Sequence, residues 1–366
     1  MTAISFIERG RSFIVRYERR LSSLALLTGF LIDSFTLTRI DFWGNHLLIF
    51  SYLALATLCI FLLQIKEAGR IRKHFFLRLA LLFPLAIQFA FGALLSALTV
   101  FYVRSASLSG SLFFILFLGG MMVGNELLRS RYARLEFQFS ILFVIIFAFM
   151  IFYVPIVLST LGAATFLLSG ALSLLVMTLL LFALFRLTPQ IVSTAARALA
   201  ASIGGIYLLV NVLYFTNIIP PIPLSLKEAD VYHFVAKEGE QYVGFGEEEP
   251  WWARYFSRER SFHRTKGEPT YFYSAVFAPT KITIPIYHEW QFYDEATRAW
   301  ETRSRISFPI VGGRESGYRG YSMKSELAPG HWRVLVTTER GQILGSTAFF
   351  VVEVEAPLLS SPRVLQ

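Results

Sequence analysis

A set of aromatic and basic residues in the last quarter of the chain has the composition of a sugar-binding site. The set consists of His288, Trp290, Arg314, Arg319, Tyr321, Lys324 and Trp332. Aromatic rings stack on the apolar faces of sugars, while Arg and Lys side chains bind carboxylate or phosphate groups. The alternative is structural, because in a β-sandwich Trp rings fill the core and basic side chains pair across strands. Both interpretations are open at the level of sequence.

Polar residues inside long apolar segments form a second set of candidates, since ionisable groups within a membrane are costly and mark functional sites. This set consists of Asp33, Gln88, Asn125, Glu126 and Asn211. One interpretation is a polar site or a proton path that involves Asp33. The other is that Asp33 and Glu126 lie near the membrane interfaces, where they are solvated or paired with arginines of the loops.

The signatures of common catalytic sites are absent from the sequence. It contains no His-Glu-x-x-His, no phosphate-binding loop and no Gly-x-Ser-x-Gly elbow. The six histidines lack the spacing of metal ligands, and the single cysteine, Cys59, lies within an apolar segment. We therefore predict no catalytic residue, no metal site and no cofactor.

The chain changes in composition near residue 220, from long apolar segments before it to a β-rich segment after it. Hydrophobic residues make up 55% of the 366 positions, too many for an ordinary soluble protein. Because a membrane core about 30 Å thick needs about 20 apolar residues of helix, we predict a membrane α-helical bundle of seven transmembrane helices. Their approximate ranges are Leu21–Leu37, His46–Gln64, Leu79–Val103, Leu108–Leu127, Phe137–Leu158, Leu161–Phe185 and Ala195–Ile219. Pro220, Pro221 and Pro223 end the last helix.

Basic residues are distributed unequally between the two sets of loops. Fifteen Lys and Arg residues fall in the N-terminal tail and in alternate loops, against only Arg39 and Arg104 on the other side. Because basic loops stay in the cytoplasm, we predict a cytoplasmic N-terminus and, after seven crossings, a C-terminal domain on the outside, which in a bacterium with two membranes is the periplasm. The net charge of +9 arises in the helical half, so a nucleic-acid partner is not expected.

The residues after the prolines are typical of a β domain. We predict strands at Tyr271–Phe277, Thr283–Phe292, Thr302–Pro309, Arg319–Lys324, Trp332–Thr338 and Ile343–Val352. Their close spacing predicts an antiparallel β-sandwich, immunoglobulin-like in architecture. The predicted segments are a cytoplasmic tail (1–20), the seven-helix domain (21–219), an exit and linker (220–269), the sandwich (270–354) and a C-terminal tail (355–366). Within the linker, Trp251–Arg258 is either an interfacial amphipathic helix or a helix packed on the sandwich.

Several motifs follow one another in order within residues 270–352. They are His288-Glu-Trp290, Gly313-Arg314, Tyr318-Arg-Gly-Tyr-Ser322 with Lys324, Pro329-Gly330 and Trp332-Arg-Val334. This series resembles the bacterial family called domain of unknown function 2914, in which a His-x-Trp strand precedes Arg-x-x-Ser-x-Lys and Gly-x-Trp-x-Val elements. The membrane half is similar to the helical region often found ahead of that domain in proteobacterial proteins. The resemblance implies a bacterial envelope protein and brings no established activity.

The predicted function is that of an inner-membrane protein whose helices anchor a periplasmic domain. That domain is expected to bind an envelope glycan or a periplasmic protein, the lipid bilayer is the other partner, and the oligomeric state stays open. Two further classes stay open. One is an envelope-modifying enzyme that uses Asp33 or Glu126 at the lipid interface, and the other is a subunit of a transporter or flippase. Polar groups that converge in a cavity between the helices would favour either one, whereas a tightly packed apolar bundle would favour anchoring.

Overall fold

The computed structural model divides the chain into a mostly helical unit and a β-rich unit. It describes residues 30–37, 42–70, 82–105, 108–127, 134–221, 223–239, 241–247, 260–279, 282–311, 317–358 and 360–365. The first unit contains most of each long helix. The second contains residues 103–112 and 154–165 together with everything from Tyr214 onward, which includes every described strand.

Seven helices occur in the described residues, and most are almost wholly apolar. A short one covers residues 30–36. The others are α1 (Trp43–Glu67), α2 (Phe83–Ser105), α3 (Leu108–Leu127), α4 (Leu135–Leu158), α5 (Ala163–Leu187) and α6 (Pro189–Phe215). Five of them, α1, α2, α4, α5 and α6, are long and apolar enough to cross a membrane. The chain is therefore a membrane protein.

The helices coincide with the predicted spans, with some differences at the ends. Part of the first predicted span and the tail 1–20 lie outside the described residues. The last helix begins at Pro189 rather than near the predicted Ala195. Proline is well tolerated in the first turn of a helix, where its missing N–H has no intrahelical partner. That helix ends before Asn217, which has a φ of 59°, the left-handed conformation that commonly follows a helix.

Eleven strands follow α6 among the described residues. They are β1 (Ser225–Tyr232), β2 (Phe234–Glu238), β3 (Gln241–Glu247), β4 (Arg260–Arg264), β5 (Thr270–Phe277), β6 (Thr283–Asp294), β7 (Ala299–Val311), β8 (Tyr318–Lys324), β9 (Gly330–Thr338), β10 (Ile343–Glu353) and β11 (Ser360–Leu365). All six predicted strands are confirmed as β5 to β10. A tight turn joins β9 to β10, in which Gly341 has a φ of 78° and Thr338 N–H donates to the carbonyl of Gln342.

Strands also occur where the sequence predicted none. The first strand begins at Ser225, whereas the prediction placed it at Tyr271. Residues 360–365, predicted as a tail, form β11, which pairs with β3. Short strands such as β1, with Lys227, Glu228 and Asp230, carry too many charges to stand out by alternation alone. The predicted helix at Trp251–Arg258 lies outside the described residues.

The strands form three sheets rather than the two of a simple sandwich. Their orders are β1–β5–β8, β4–β10–β9–β6–β7 and β11–β3–β2. All pairings among the described strands are antiparallel except that of β4 with β10, which is parallel. The five-stranded sheet contains most of the strands that were predicted from the sequence.

The main core of the β-rich unit is an apolar cluster shared by two sheets. The five-stranded sheet supplies Trp290, Val334 and Phe349, and the β1–β5–β8 sheet supplies Phe272 and Val276. Each of these side chains is almost completely removed from water, and burial of this kind contributes about 1.5–3 kcal/mol per large apolar side chain. A smaller cluster around Tyr232, Tyr273 and Leu365 joins the β1–β5–β8 sheet to the β11–β3–β2 sheet.

Candidate functional site

Three of the predicted ligand-binding residues lie in the core of the β-rich unit. His288 and Trp290 are 0% exposed and Trp332 is 3% exposed. On β6, His288 and Trp290 alternate with Glu289 and Gln291, so the first pair faces the core and the second pair faces away. A ligand cannot reach these three rings in this structure. They fill the core, as the second of the two interpretations of the sequence expected.

The buried polar atoms of β6 are satisfied by two serines. The Nε2 of His288 is hydrogen-bonded to the hydroxyl of Ser274 at 2.7 Å, and its Nδ1 is hydrogen-bonded to the hydroxyl of Ser322 at 2.9 Å. Trp290 donates its indole N–H to the same Ser322 hydroxyl at 3.0 Å. Burial lowers the pKa of His288 to about 3, so the ring is neutral at physiological pH. This cluster is a structural hydrogen-bond network across the core.

The remaining predicted residues of this set fall in different places. Ser322 and Lys324 share one face of β8, and Arg319 and Tyr321 share the other. The Nζ of Lys324 donates to Ser304 Oγ at 3.3 Å. Tyr321 is 44% exposed beside Tyr271 and Tyr242, with ring centroids 5.8 and 6.2 Å away. Arg314 lies outside the described residues.

An aromatic row that the sequence analysis missed crosses the face of the five-stranded sheet that points away from the core. It consists of Trp300 on β7, Tyr293 on β6, His331 on β9 and Phe350 on β10. Tyr293 lies directly opposite Trp300, with ring centroids 5.3 Å apart, and His331 lies directly opposite Phe350, at 4.7 Å. His331 is 6.2 Å from Tyr293, which joins the two pairs. All four rings are partly exposed.

A polar row runs beside the aromatic row on the same face. It consists of Thr302, Gln291 and Arg333, which are opposite one another in register. Gln291 Nε2 donates to Thr302 Oγ1 at 3.0 Å, and Arg333 Nε donates to Gln291 Oε1 at 2.8 Å. The guanidinium carbon of Arg333 lies 4.2 Å from the Trp300 ring centroid. Arg333 is therefore held in one orientation by a hydrogen bond and a cation–π contact.

The sequence contained a signal for these two rows. Residues at every second position of β6 share a face, so burial of Trp290 places Gln291 and Tyr293 together on the opposite one. The pairing of β6 with β7 and β9, which no local pattern reveals, then brings Trp300 and Arg333 beside them.

The intramembrane candidates do not form a common site through their described contacts. Ser96 donates its hydroxyl to Asp33, and Asn211 Nδ2 donates to the carbonyl of Tyr207 in its own helix at 2.8 Å. Gln88 is half-buried on α2. The side chains of Asn125 and Glu126 lie outside the described part of the chain.

A buried pair of amides in the helical unit was not predicted. Gln64 on α1 donates to Gln138 on α4 at 3.0 Å, and both side chains are fully buried. A hydrogen bond of this kind satisfies two polar groups that would otherwise be costly within apolar helices. It is a contact between α1 and α4.

Two histidines and two glutamates form a chain of ion pairs at the start of the β-rich unit. His233 Nδ1 lies 2.7 Å from Glu268 and its Nε2 lies 3.4 Å from Glu247. The Nδ1 of His263 lies 3.0 Å from the other oxygen of Glu247. Among the described residues no group of three or more His, Cys, Asp or Glu side chains has the geometry to hold a metal ion.

The helices and sheets define the class of the chain as a membrane protein with a β-rich C-terminal region. Within that region, residues 284–351 match the family model described as Protein of unknown function (DUF2914), which confirms the resemblance carried by the motifs. The matched residues run from β6 to β10 and include both rows of the exposed face. No curated protein matches the chain.

Two solved structures show weak similarity. One is the β-glucosidase from Listeria innocua in complex with gluconolactone, with 10% identity over 33% of this chain and 18% of that chain, and a TM-score of 0.18. The other is the Pseudomonas fluorescens alkylpurine DNA glycosylase AlkC bound to DNA containing an abasic site analog. It shows 10% identity over 86% of this chain and 98% of that chain, and a TM-score of 0.20. At these TM-scores neither likeness supports a conclusion about fold or function.

Proposed function

We propose that the chain is a bacterial inner-membrane protein that holds a periplasmic β-sandwich, and that this domain binds an envelope glycan. The binding site is the exposed face of the five-stranded sheet, with Trp300 and Tyr293 as stacking rings and Arg333 as the hydrogen-bond donor. The observation that carries the proposal is the aromatic row lying directly beside the polar row.

The geometry of the two rows suits a sugar ring. A pyranose presents apolar C–H groups on its faces and hydroxyls at its rim, so it needs an aromatic platform with polar groups beside it. Trp300 and Tyr293 offer such a platform, and they are only partly exposed. Arg333 Nε donates to Gln291, and its two Nη groups make no hydrogen bond to a described residue. They are available to hydroxyl or carboxylate oxygens of a ligand.

The membrane arrangement rests on charge and on the helices. Fifteen basic residues in the N-terminal tail and alternate loops favour a cytoplasmic N-terminus. Seven crossings, five of them through the long helices, then put the β-rich region in the periplasm. The shared core of the β1–β5–β8 and five-stranded sheets is the arrangement expected of a sandwich, with the β11–β3–β2 sheet as an addition to it.

Binding is tested with the full chain in lipid nanodiscs and soluble peptidoglycan fragments, by calorimetric titration. Saturable binding by the natural protein, and a loss of about tenfold or more for Trp300→Ala, are expected because a stacked ring carries much of the affinity at such sites. Tyr321→Ala is the matched control, since Tyr321 is an exposed aromatic residue on a different sheet.

The outcomes separate three possibilities. If Tyr321→Ala abolishes binding and Trp300→Ala does not, the ligand binds at Tyr321 and its neighbours Tyr271 and Tyr242, and the proposed face is wrong. If no fragment binds the natural protein, glycan binding is overturned for this ligand class and a protein partner becomes the better hypothesis. A reporter fused after residue 366 that is active only in the cytoplasm overturns the periplasmic placement.

A further inference from the structure

Two basic side chains lie over neighbouring aromatic rings at one margin of the main core. The guanidinium carbon of Arg303 lies 5.6 Å from the ring centroid of Phe292, and the Nζ of Lys324 lies 5.7 Å from that of Trp332. The two rings are themselves in contact, with centroids 5.1 Å apart. Arg303 on β7 and Lys324 on β8 therefore lie over two rings that touch each other, although their strands belong to different sheets.

The position of Arg303 results from a β-bulge. Trp290 pairs with Ser304 and Gln291 pairs with Thr302, so Arg303 is the extra residue without a partner on β6. A bulge redirects the side chain of the extra residue and is often found beside functional sites.

The two cations repel each other. Burial, and in addition the positive charge of Arg303, lower the pKa of the Lys324 amine. Within the described part of the chain Lys324 has one hydrogen bond, to the neutral Ser304, and no carboxylate partner. Arg303 is half-exposed and bonds Glu301 at 2.9 Å through one Nη group, a surface contact that contributes little to stability.

We propose that Arg303 and Lys324 form a binding site for an oxyanion, a phosphate or carboxylate group that sits between the two cations. Such a group relieves their mutual repulsion and accepts charge-assisted hydrogen bonds from both. The exposed half of Arg303 leaves the site open to a ligand from solution. The site shares no residue with the aromatic and polar rows, so it does not rest on the proposed glycan binding.

The chemistry of the group can come from several sources, and the experiment separates them. The full chain in nanodiscs of zwitterionic lipid is titrated with inorganic phosphate in one arm and with glucuronate in another. A third arm uses vesicles that contain phosphatidylglycerol. We expect phosphate or glucuronate to bind, with an affinity that falls as salt rises. Binding only to the vesicles would mean that the anion is a lipid headgroup, and binding to none of the three would overturn the proposal.

Matched variants identify the residues. Arg303→Gln and Lys324→Gln are each expected to weaken anion binding by about tenfold or more, because each removes one of two charge-assisted contacts. Lys266→Gln, which removes an exposed cation in a turn, should leave it unchanged. Arg303→Gln alters a half-exposed side chain and should fold normally, so it tests the site even if Lys324→Gln is unstable. Unchanged affinity in Arg303→Gln would show that the anion binds elsewhere.

The two binding sites can fail independently. Trp300→Ala should lose glycan binding and retain anion binding. Arg303→Gln should lose anion binding and retain the binding of a neutral glycan fragment. If Arg303→Gln also weakens binding of an acidic fragment but not of a neutral one, one ligand occupies both sites.

Discussion

The indole nitrogen of Trp290 donates a hydrogen bond to the hydroxyl of Ser322, 3.0 Å away, from one sheet to another. The same hydroxyl lies 2.9 Å from Nδ1 of His288. One serine therefore satisfies two buried polar groups of β6, and β8 is joined to the five-stranded sheet through it.

Removal of this hydroxyl should destabilise the β-rich unit. Ser322→Ala leaves the Trp290 N–H and one nitrogen of His288 without a partner in a fully buried site. Each buried group left unsatisfied costs about 1–3 kcal/mol, so the free energy of unfolding should fall by at least that much. Denaturant unfolding monitored by tryptophan fluorescence measures the change. Ser307→Ala, at an exposed position of β7, is the control and should have little effect.

The stability of the β-rich unit should decrease in acid because of His288. Its pKa is about 3 in the folded chain against an ordinary value of 6.5, so only the unfolded chain binds a proton between these two values. Stability is fully present above about 6.5 and is lost as the pH falls, by up to about 1.4 kcal/mol per pH unit. Unfolding measured from pH 7 to pH 4 should show this slope. In His288→Gln the slope should be much smaller, and an unchanged slope would contradict the assignment.

The His233 cluster should contribute stability within a limited pH range. Burial alone would lower the pKa of His233, but hydrogen bonds to Glu247 and Glu268 outweigh it and raise the value. For Glu268, burial acts to raise the pKa, but hydrogen bonds from Thr265 and His233 lower it overall. Stability from the histidine is lost as the pH rises through its raised pKa, and stability from the glutamate is lost as the pH falls below its ordinary 4.5.

The corresponding variant is Glu268→Gln. We expect its largest destabilisation between the ordinary pKa values of the glutamate, 4.5, and the histidine, 6.5, where both partners are charged. Thermal unfolding of the full chain at several pH values gives the profile. Glu326→Gln, at an exposed position, should give the same profile as the natural protein. A Glu268→Gln effect that is uniform with pH would argue against an ionic contribution.

The exact chemistry of Arg333 should matter for ligand binding. The planar guanidinium of Arg333 donates to Gln291 and stacks on Trp300 at the same time. The ammonium of a lysine is not planar and cannot make both contacts. Arg333→Lys should therefore weaken glycan binding by about tenfold while leaving the unfolding transition nearly unchanged. Arg298→Lys, in the exposed turn between β6 and β7, is the matched control. Equal binding by both variants would remove Arg333 from the site.

The amide pair of the helical unit should show coupling. Gln64→Leu and Gln138→Leu each remove the hydrogen bond between the two amides, whereas the double variant removes both amides. Coupling energies of hydrogen bonds between membrane helices average about 0.6 kcal/mol, and a similar value is expected here. A double-mutant cycle of unfolding in detergent measures it. Additive effects of the two substitutions would show that the pair contributes no net interaction.

The local predictions from sequence were accurate where one pattern dominated. Long apolar runs predicted the helices, because about 20 such residues have no other stable arrangement than a membrane span or a buried helix. Short runs of β-forming residues at close spacing predicted β5 to β10. Charged strands such as β1 and the short β11 were missed, because their pattern does not differ from that of a loop.

The candidate site could not be predicted to the same degree. The period of a strand shows that Trp290 and Gln291 point in opposite directions, but it does not show which direction is the core. The sequence analysis left open whether the ring of Trp290 belongs to a ligand face or to the core, and the structure places it in the core. The proposed face depends on Trp300 and Arg333, which are separated by 33 positions and are brought together by their pairing with β6.

The amino-acid sequence by itself determined the membrane character of the first half, the β-rich character of the second and the resemblance of residues 284–351 to a family of unknown function. These properties follow from composition, periodicity and short motifs, which are local. Only the tertiary structure decided that His288, Trp290 and Trp332 are core residues and that Tyr293, Trp300 and Arg333 share an open face. Burial and cross-strand register depend on contacts between residues far apart in the chain, and such contacts exist only once the sheets have assembled.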